Sequence, residues 1–214
     1  MKTRNLIRWA LAIAVIVAST SAHAASLSFG CITGNRAVDC AIGVAQISVD
    51  VAAVGSGSVV FSFRNTGPAA SSITDVYFQD GSLLALARVM SSSGVSFAQY
   101  ATPSNLPGAN NISPPFVVTE GFSADSNPPV QPNGVNPGET LGIKFTLQSG
   151  QTIDDVVREL GDGSLRVGIH VQGYASGGSE SFVNHPVPEP ETLALLVSAG
   201  AGLRLRSARR LRSA

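Results

Sequence analysis

The chain has 214 residues, with 14 basic and 14 acidic side chains, two cysteines and 13% charged residues. The zero net charge divides unevenly: residues 1–24 carry +3, residues 25–186 carry six bases against twelve acids for −6, and residues 187–214 carry five arginines against Glu189 and Glu191 for +3. An acidic central segment excludes nucleic acid as the expected partner, because phosphate binding needs a basic footprint.

The first 24 residues hold Lys2, Arg4 and Arg8, an apolar run from Leu6 to Ala18 broken by Arg8 and Trp9, and the tripeptide Ala22-His23-Ala24. A basic start, a short apolar stretch and small residues at the end are the pattern of a secretory signal peptide, with cleavage expected between Ala24 and Ala25. His23 then leaves with the leader. Next come Cys31 and Cys40, the only cysteines, around the turn signal Gly34-Asn35. In an oxidising compartment a disulfide closing two short strands or loop arms is the default. A metal site and a free thiol are the alternatives, but no Cys-x-x-Cys and no adjacent histidine accompany the pair.

Residues 25–186 read as one domain. Ala45–Val51 alternates, with Ile47, Val49 and Val51 on one face and Gln46, Ser48 and Asp50 on the other. Ser58–Arg64 does the same through Val59, Phe61 and Phe63, and Ile73–Phe78, Leu83–Met90, Leu141–Leu147 and Leu165–Val171 continue the series. Period-two alternation marks half-buried antiparallel strands. Turn signals at Gly67-Pro68, Asp80-Gly81, Ser93-Gly94 and Asp162-Gly163 separate or flank them, so the expected fold is all-β, a single antiparallel β-sandwich. One short helix is expected over 153–160, since Thr152 to Asp155 resembles a capping box and Val156, Val157 and Leu160 follow before Gly161. Residues 103–138 hold eight of the twelve prolines and no regular pattern. Such a segment reads as an edge covering, pinned by Phe116 and Phe122, with a functional loop as the second reading.

Catalytic residue types are sparse. After the leader only His170 and His185 remain. His170 falls on the polar face of its strand and is expected to face solvent, while His185 sits beside Pro186 in a stem that preorganises nothing. Gly177-Gly178-Ser179-Glu180-Ser181 only approximates a nucleophile elbow and reads as a turn before a last strand. No catalytic residue is assigned and the protein is expected not to be an enzyme. The alternative is a polysaccharide hydrolase using a carboxylate pair that spacing alone cannot pick out. No metal ligand is assigned; calcium held in the loop from Asp125 to Glu139 is a minor possibility, without an EF-hand pattern.

Residues 187–214 run Val187-Pro188-Glu189-Pro190-Glu191-Thr192, an apolar stretch from Leu193 to Leu203, then Arg204, Arg206, Arg209, Arg210 and Arg212. A rigid stem, an apolar segment and a cluster of arginines make a stop-transfer arrangement, with the positive end cytoplasmic. The stretch has 11 residues. As a helix it would be about 17 Å long, short of a hydrocarbon core of roughly 30 Å, so a transmembrane helix would be marginal and transient or would draw in Arg204 and Arg206. The form VPEPETLALL, carried by Pro188, Glu189 and Pro190, resembles the PEP-CTERM sorting signal of Gram-negative bacteria. The phrases FRNTGPAASSITDVYFQDGSLL, GFSADSNPPVQPNGVNPGE and LRVGIHVQGYASGGSESFVN look like a recurring extracellular domain of PEP-CTERM proteins, to which no enzymatic activity is attached. That resemblance implies an exosortase as partner, removal of the tail near the Pro-Glu-Pro region, and release to the cell surface or the exopolysaccharide matrix of a biofilm. It implies no cofactor. A permanently membrane-anchored structural domain is the remaining alternative.

Overall fold

A computed structural model describes residues 24–80 and 84–185. Residues 1–23 of the expected leader, residues 81–83, the expected sorting motif Pro188-Glu189-Pro190, the apolar run Leu193 to Leu203 and the arginines 204–212 lie outside the described residues, whereas Ala24 and Ala25, the expected cleavage point, are described. Among the described residues no helix is long and apolar enough to cross a membrane.

In chain order the elements are β1 (Ala24–Cys31), α1 (Ala37–Gln46), β2 (Ile47–Ala53), β3 (Ser58–Asn65), β4 (Ser72–Gln79), β5 (Leu84–Met90), β6 (Phe97–Gln99), β7 (Ser123–Ser126), α2 (Val130–Asn133), β8 (Thr140–Leu147), α3 (Ile153–Asp162), β9 (Arg166–Gln172) and β10 (Glu180–Asn184). The strands form one antiparallel sheet in the order β5-β8-β3-β2-β1-β10-β9-β4-β7-β6. Strand β1 serves both halves: Ala24 to Ser28 pair with β2, and Phe29 to Cys31 pair with β10. The halves fold face to face about β1, and the end strands β5 and β6 meet, so the sheet is nearly closed. This is the expected all-β sandwich, and near-closure leaves little free edge for pairing with other chains.

The alternating residues do what their spacing demands. Val49 and Val51 of β2, Phe61 and Phe63 of β3, Leu141, Ile143 and Phe145 of β8, and Val167, Ile169 and Val171 of β9 all point into one core. Rings interlock across the two halves, with Phe78 of β4 edge-on to Phe61 at 5.1 Å and to Phe145 at 4.7 Å between centroids. Helix α3 starts at the capping box, in which Thr152 and Asp155 satisfy each other's backbone N–H groups. It runs two residues past the expected end, to Asp162, because Gly163 at φ 80° rather than Gly161 supplies the left-handed cap.

Two expectations are corrected: the described residues hold helices α1 and α2 besides α3, where one short helix was expected, and the disulfide joins a strand to a helix. Cys31 and Cys40 are joined, with Cα atoms 5.5 Å apart, but the bond ties the end of β1 to helix α1 rather than to a second strand or loop arm. Helix α1 buries Asp39, Gly43 and Gln46 and leaves Val38 and Val44 exposed, so its polar and small residues face inward. Gly43 allows this, since a Cβ there would run into the Phe182 ring.

The proline-rich segment is more than an edge covering. Ala101, Leu106 and Phe116 lie on the outer face of the second half-sheet, where they form a separate apolar cluster with Tyr77 and Val183. Gly168 of β9 permits this approach, because a Cβ there would sit 2.8 Å from Leu106 Cδ2 and 3.1 Å from Phe116 Cζ. Strand β4 is therefore buried on both faces along nearly its whole length. Phe122 turns the other way, into the main core beside Phe145 at 5.4 Å.

Candidate functional site

Covering the outer face of the second half-sheet turns a row of strand residues into a semi-buried polar site. Register places Asp125 of β7 opposite Asp75 of β4, Asp75 opposite His170 of β9, and His170 opposite Ser181 of β10. Directly paired residues of antiparallel strands point to the same face, so these four side chains form one line across four neighbouring strands.

A bulge between Ile73 and Asp75 shapes the centre of this line. The extra residue is Thr74, and a bulge re-aims side chains that strict alternation would send to opposite faces. Thr74 Oγ1 donates to Asp75 Oδ2 at 2.7 Å, and the same carboxylate oxygen faces His170 Nδ1 at 3.1 Å. Gln172, two residues further along β9, donates from Nε2 to Thr74 Oγ1 at 3.2 Å. The expectation that His170 faces solvent is thus corrected: its side chain is 14% exposed and that of Asp75 is 4%. Alternation placed His170 on the correct face, but that face is covered.

The two carboxyl groups interact directly. Burial holds Asp125 above the usual carboxylate range, and the Asp75 charge and a hydrogen bond between the two side chains push in the same direction. Tyr77, next on the same face, donates to Pro103 O at 2.9 Å and has its phenol pushed well above the usual range, first by burial and then by Asp75.

Asp75, His170 and Ser181 are the residue types of a serine triad. The geometry does not assemble one: Ser181 is fully buried and its Oγ has no hydrogen-bond partner among the described residues, so a substrate cannot reach it. The turn before the last strand lies over Tyr174 to Gly177, where Gly177 N donates to Tyr174 O at 2.8 Å, and Glu180 and Ser181 already belong to β10.

The remaining sequence candidates are scattered. Glu180 is buried beneath the Cys31–Cys40 bond, where its carboxylate accepts from Thr33 Oγ1, from Asn35 N at 3.0 Å and from Arg36 N. Cys31, Cys40 and Glu180 are the one three-residue group of potential metal ligands among the described residues, but both sulfurs are committed to each other. At one end of the suggested calcium loop, Glu139 accepts from Asn136 N at 2.8 Å within its own turn. His185 donates its backbone N–H to Ser28 O at 3.1 Å, and its ring lies against Gly30.

Sequence reasoning missed Asp75, Thr74 and Gln172. The available signal was Thr-Asp in a strand whose neighbours are all apolar, two polar residues where alternation allows one. No family model, no curated protein and no solved structure matches this chain.

Proposed function

We infer that the protein is a non-enzymatic exported β-sandwich, delivered by its leader, held briefly at the inner membrane by its tail and released to the cell surface or extracellular matrix after processing by an exosortase. The observation that carries this reading is the tail: Pro188-Glu189-Pro190, the apolar run Leu193 to Leu203 and the five arginines beyond it occur in the order of a sorting signal. A disulfide suits an oxidising destination. The enclosed Ser181 and the hydrogen-bonded Asp75–Asp125 pair favour a structural part for the polar row over hydrolysis. Association with extracellular polysaccharide belongs to the same proposal and rests on the sorting resemblance.

The test is the intact mass of the protein recovered from cells that make it. A chain beginning at Ala25 and ending near Pro188 to Pro190 is expected. An Arg-rich end still attached to surface-located protein would overturn the sorting reading in favour of a permanent anchor. Turnover of a polysaccharide that disappears in Asp75→Asn or Asp125→Asn would overturn the non-enzymatic one.

A further inference from the structure

Thr74, Asp75, His170 and Gln172 close a ring of polar groups across β4 and β9. Thr74 Oγ1 lies 2.7 Å from Asp75 Oδ2, that oxygen 3.1 Å from His170 Nδ1, that nitrogen 3.5 Å from Gln172 Nε2, and Nε2 3.2 Å from Thr74 Oγ1. A hydroxyl is a weak nucleophile until a positioned base takes its proton, and an amide nitrogen is a poor leaving group until an acid supplies one. Here the hydroxyl has a carboxylate as its direct acceptor, the leaving nitrogen has an imidazole nitrogen beside it, and the carboxylate and imidazole touch. The amide carbon is one bond from the nitrogen that contacts the hydroxyl. Fixed contact of this kind replaces a bimolecular encounter and removes most of its entropic cost.

We propose that Thr74 and Gln172 condense into an intramolecular ester, a self-formed covalent cross-link between β4 and β9. Thr74 Oγ attacks Cδ of Gln172 and gives its proton to Asp75. The C–N bond of the carboxamide breaks as Nε2 takes the proton from Nδ1 of His170, and Asp75 returns the hydroxyl proton to that ring nitrogen. Ammonia leaves, and Asp75 and His170 end in the protonation states in which they began. One hydroxyl and one carboxamide become one ester and one ammonia, with no oxidant, cofactor or outside reagent.

Burial gives the product its persistence. Thr74 is 0% and Asp75 3% exposed while Gln172 is half-buried, so water reaches an ester here only from the Gln172 side and its hydrolysis is slowed. Ammonia, once lost, does not return at ordinary concentrations. The link spans 98 residues of sequence and would tie two central strands of the second half-sheet. It would thus lie in the body of the sandwich, far along the chain from the Cys31–Cys40 bond.

Intact mass of the purified full-length chain tests the proposal. The expected mass is about 17 Da below that of the disulfide-bonded sequence, the loss of one ammonia. After digestion, the peptides containing Thr74 and Gln172 should be recovered joined, and hydroxylamine or mild alkali should separate them. Thr74→Ser keeps the hydroxyl and should keep the loss; Thr74→Val and Gln172→Ala should abolish it, and His170→Asn should slow its appearance after refolding. An unchanged mass after prolonged incubation of folded protein would overturn the proposal, and so would a loss that persists in Thr74→Val, which would place it at another site such as Asn133-Gly134.

Discussion

The ring of Phe78, on β4, stands edge-on to the ring of Phe145, on β8, with centroids 4.7 Å apart, and this contact joins strands from opposite halves of the sheet. Phe78 also meets Phe61 and Phe63 edge-on, at 5.1 and 6.1 Å. It is therefore the hub of the contact between the two halves. Phe78→Ala removes a fully buried ring and leaves a cavity that three neighbouring rings cannot all collapse into, at a cost of roughly 3–5 kcal/mol. Urea unfolding should show a lower midpoint with an unchanged slope. Phe78→Leu, which retains most of the volume, should lose clearly less, and equal losses would show that volume does not govern this site.

Helix α1 depends on a residue 144 positions away. No side chain at Arg36, its N-cap, satisfies the first turn; the Arg36 N–H goes instead to the carboxylate of Glu180. That carboxylate also takes Asn35 N and Thr33 Oγ1, so one buried acid organises the whole loop between β1 and α1. A negative charge at a helix N-terminus is favourable in its own right. Glu180→Ala should cost roughly 1.5–3 kcal/mol, the range for hydrogen bonds to a charged group. Amide hydrogen exchange over Ala37–Gln46 should accelerate more than exchange in β3 or β8. Uniform acceleration would mean that Glu180 supports the whole sandwich and not α1 in particular.

Helices α1 and α3, set beside the strands, show how much is legible in the sequence. Strands β2, β3, β8 and β9 were visible because one face is apolar and the other polar, the condition under which period-two alternation appears. Helix α3 was visible because its cap is local: Thr152 and Asp155 are three residues apart. Helix α1 was not, because its cap is Glu180 and because Gly43 and Gln46, not its valines, face inward. The disulfide follows from two cysteines and the expectation of export; what it joins does not. His170 was assigned to the correct face of β9, but the burial of that face depends on Leu106 and Phe116, which come from a proline-rich segment with no periodicity. The Thr74–Asp75 arrangement rests on a bulge, and a bulge breaks the very pattern by which strands are read.

Asp125 gives the polar row a pH signature of definite sign. Its carboxyl is held above the usual range by burial first and by the Asp75 charge second, with the hydrogen bond it donates to the Asp75 side chain adding to both; the backbone groups of Thr102 and Ser126 pull the other way. The groups facing it are Asp75 and Tyr77 on β4, with His170 beyond Asp75 on β9, while Ala98, its partner on β6, carries no charge. A carboxyl whose pKa is raised on folding binds its proton more tightly in the folded state. Its contribution to stability is then fully present below the unfolded-state value and is lost as pH rises through the folded-state value. Asp155 and Asp162, held low by Thr152 and Ser164 respectively, act in the opposite sense, contributing stability above the unfolded-state value that is lost as pH falls. The whole protein therefore sums opposing slopes, and Asp125 must be isolated by difference. In Asp125→Asn the titrating group is gone and a hydrogen-bonding amide takes its place. Urea midpoints of wild type and Asp125→Asn should agree most closely near pH 3, below the ordinary aspartate value of about 3.9, and the variant should gain on the wild type as pH rises toward neutrality. Parallel curves across that range would show that folding does not raise the Asp125 carboxyl.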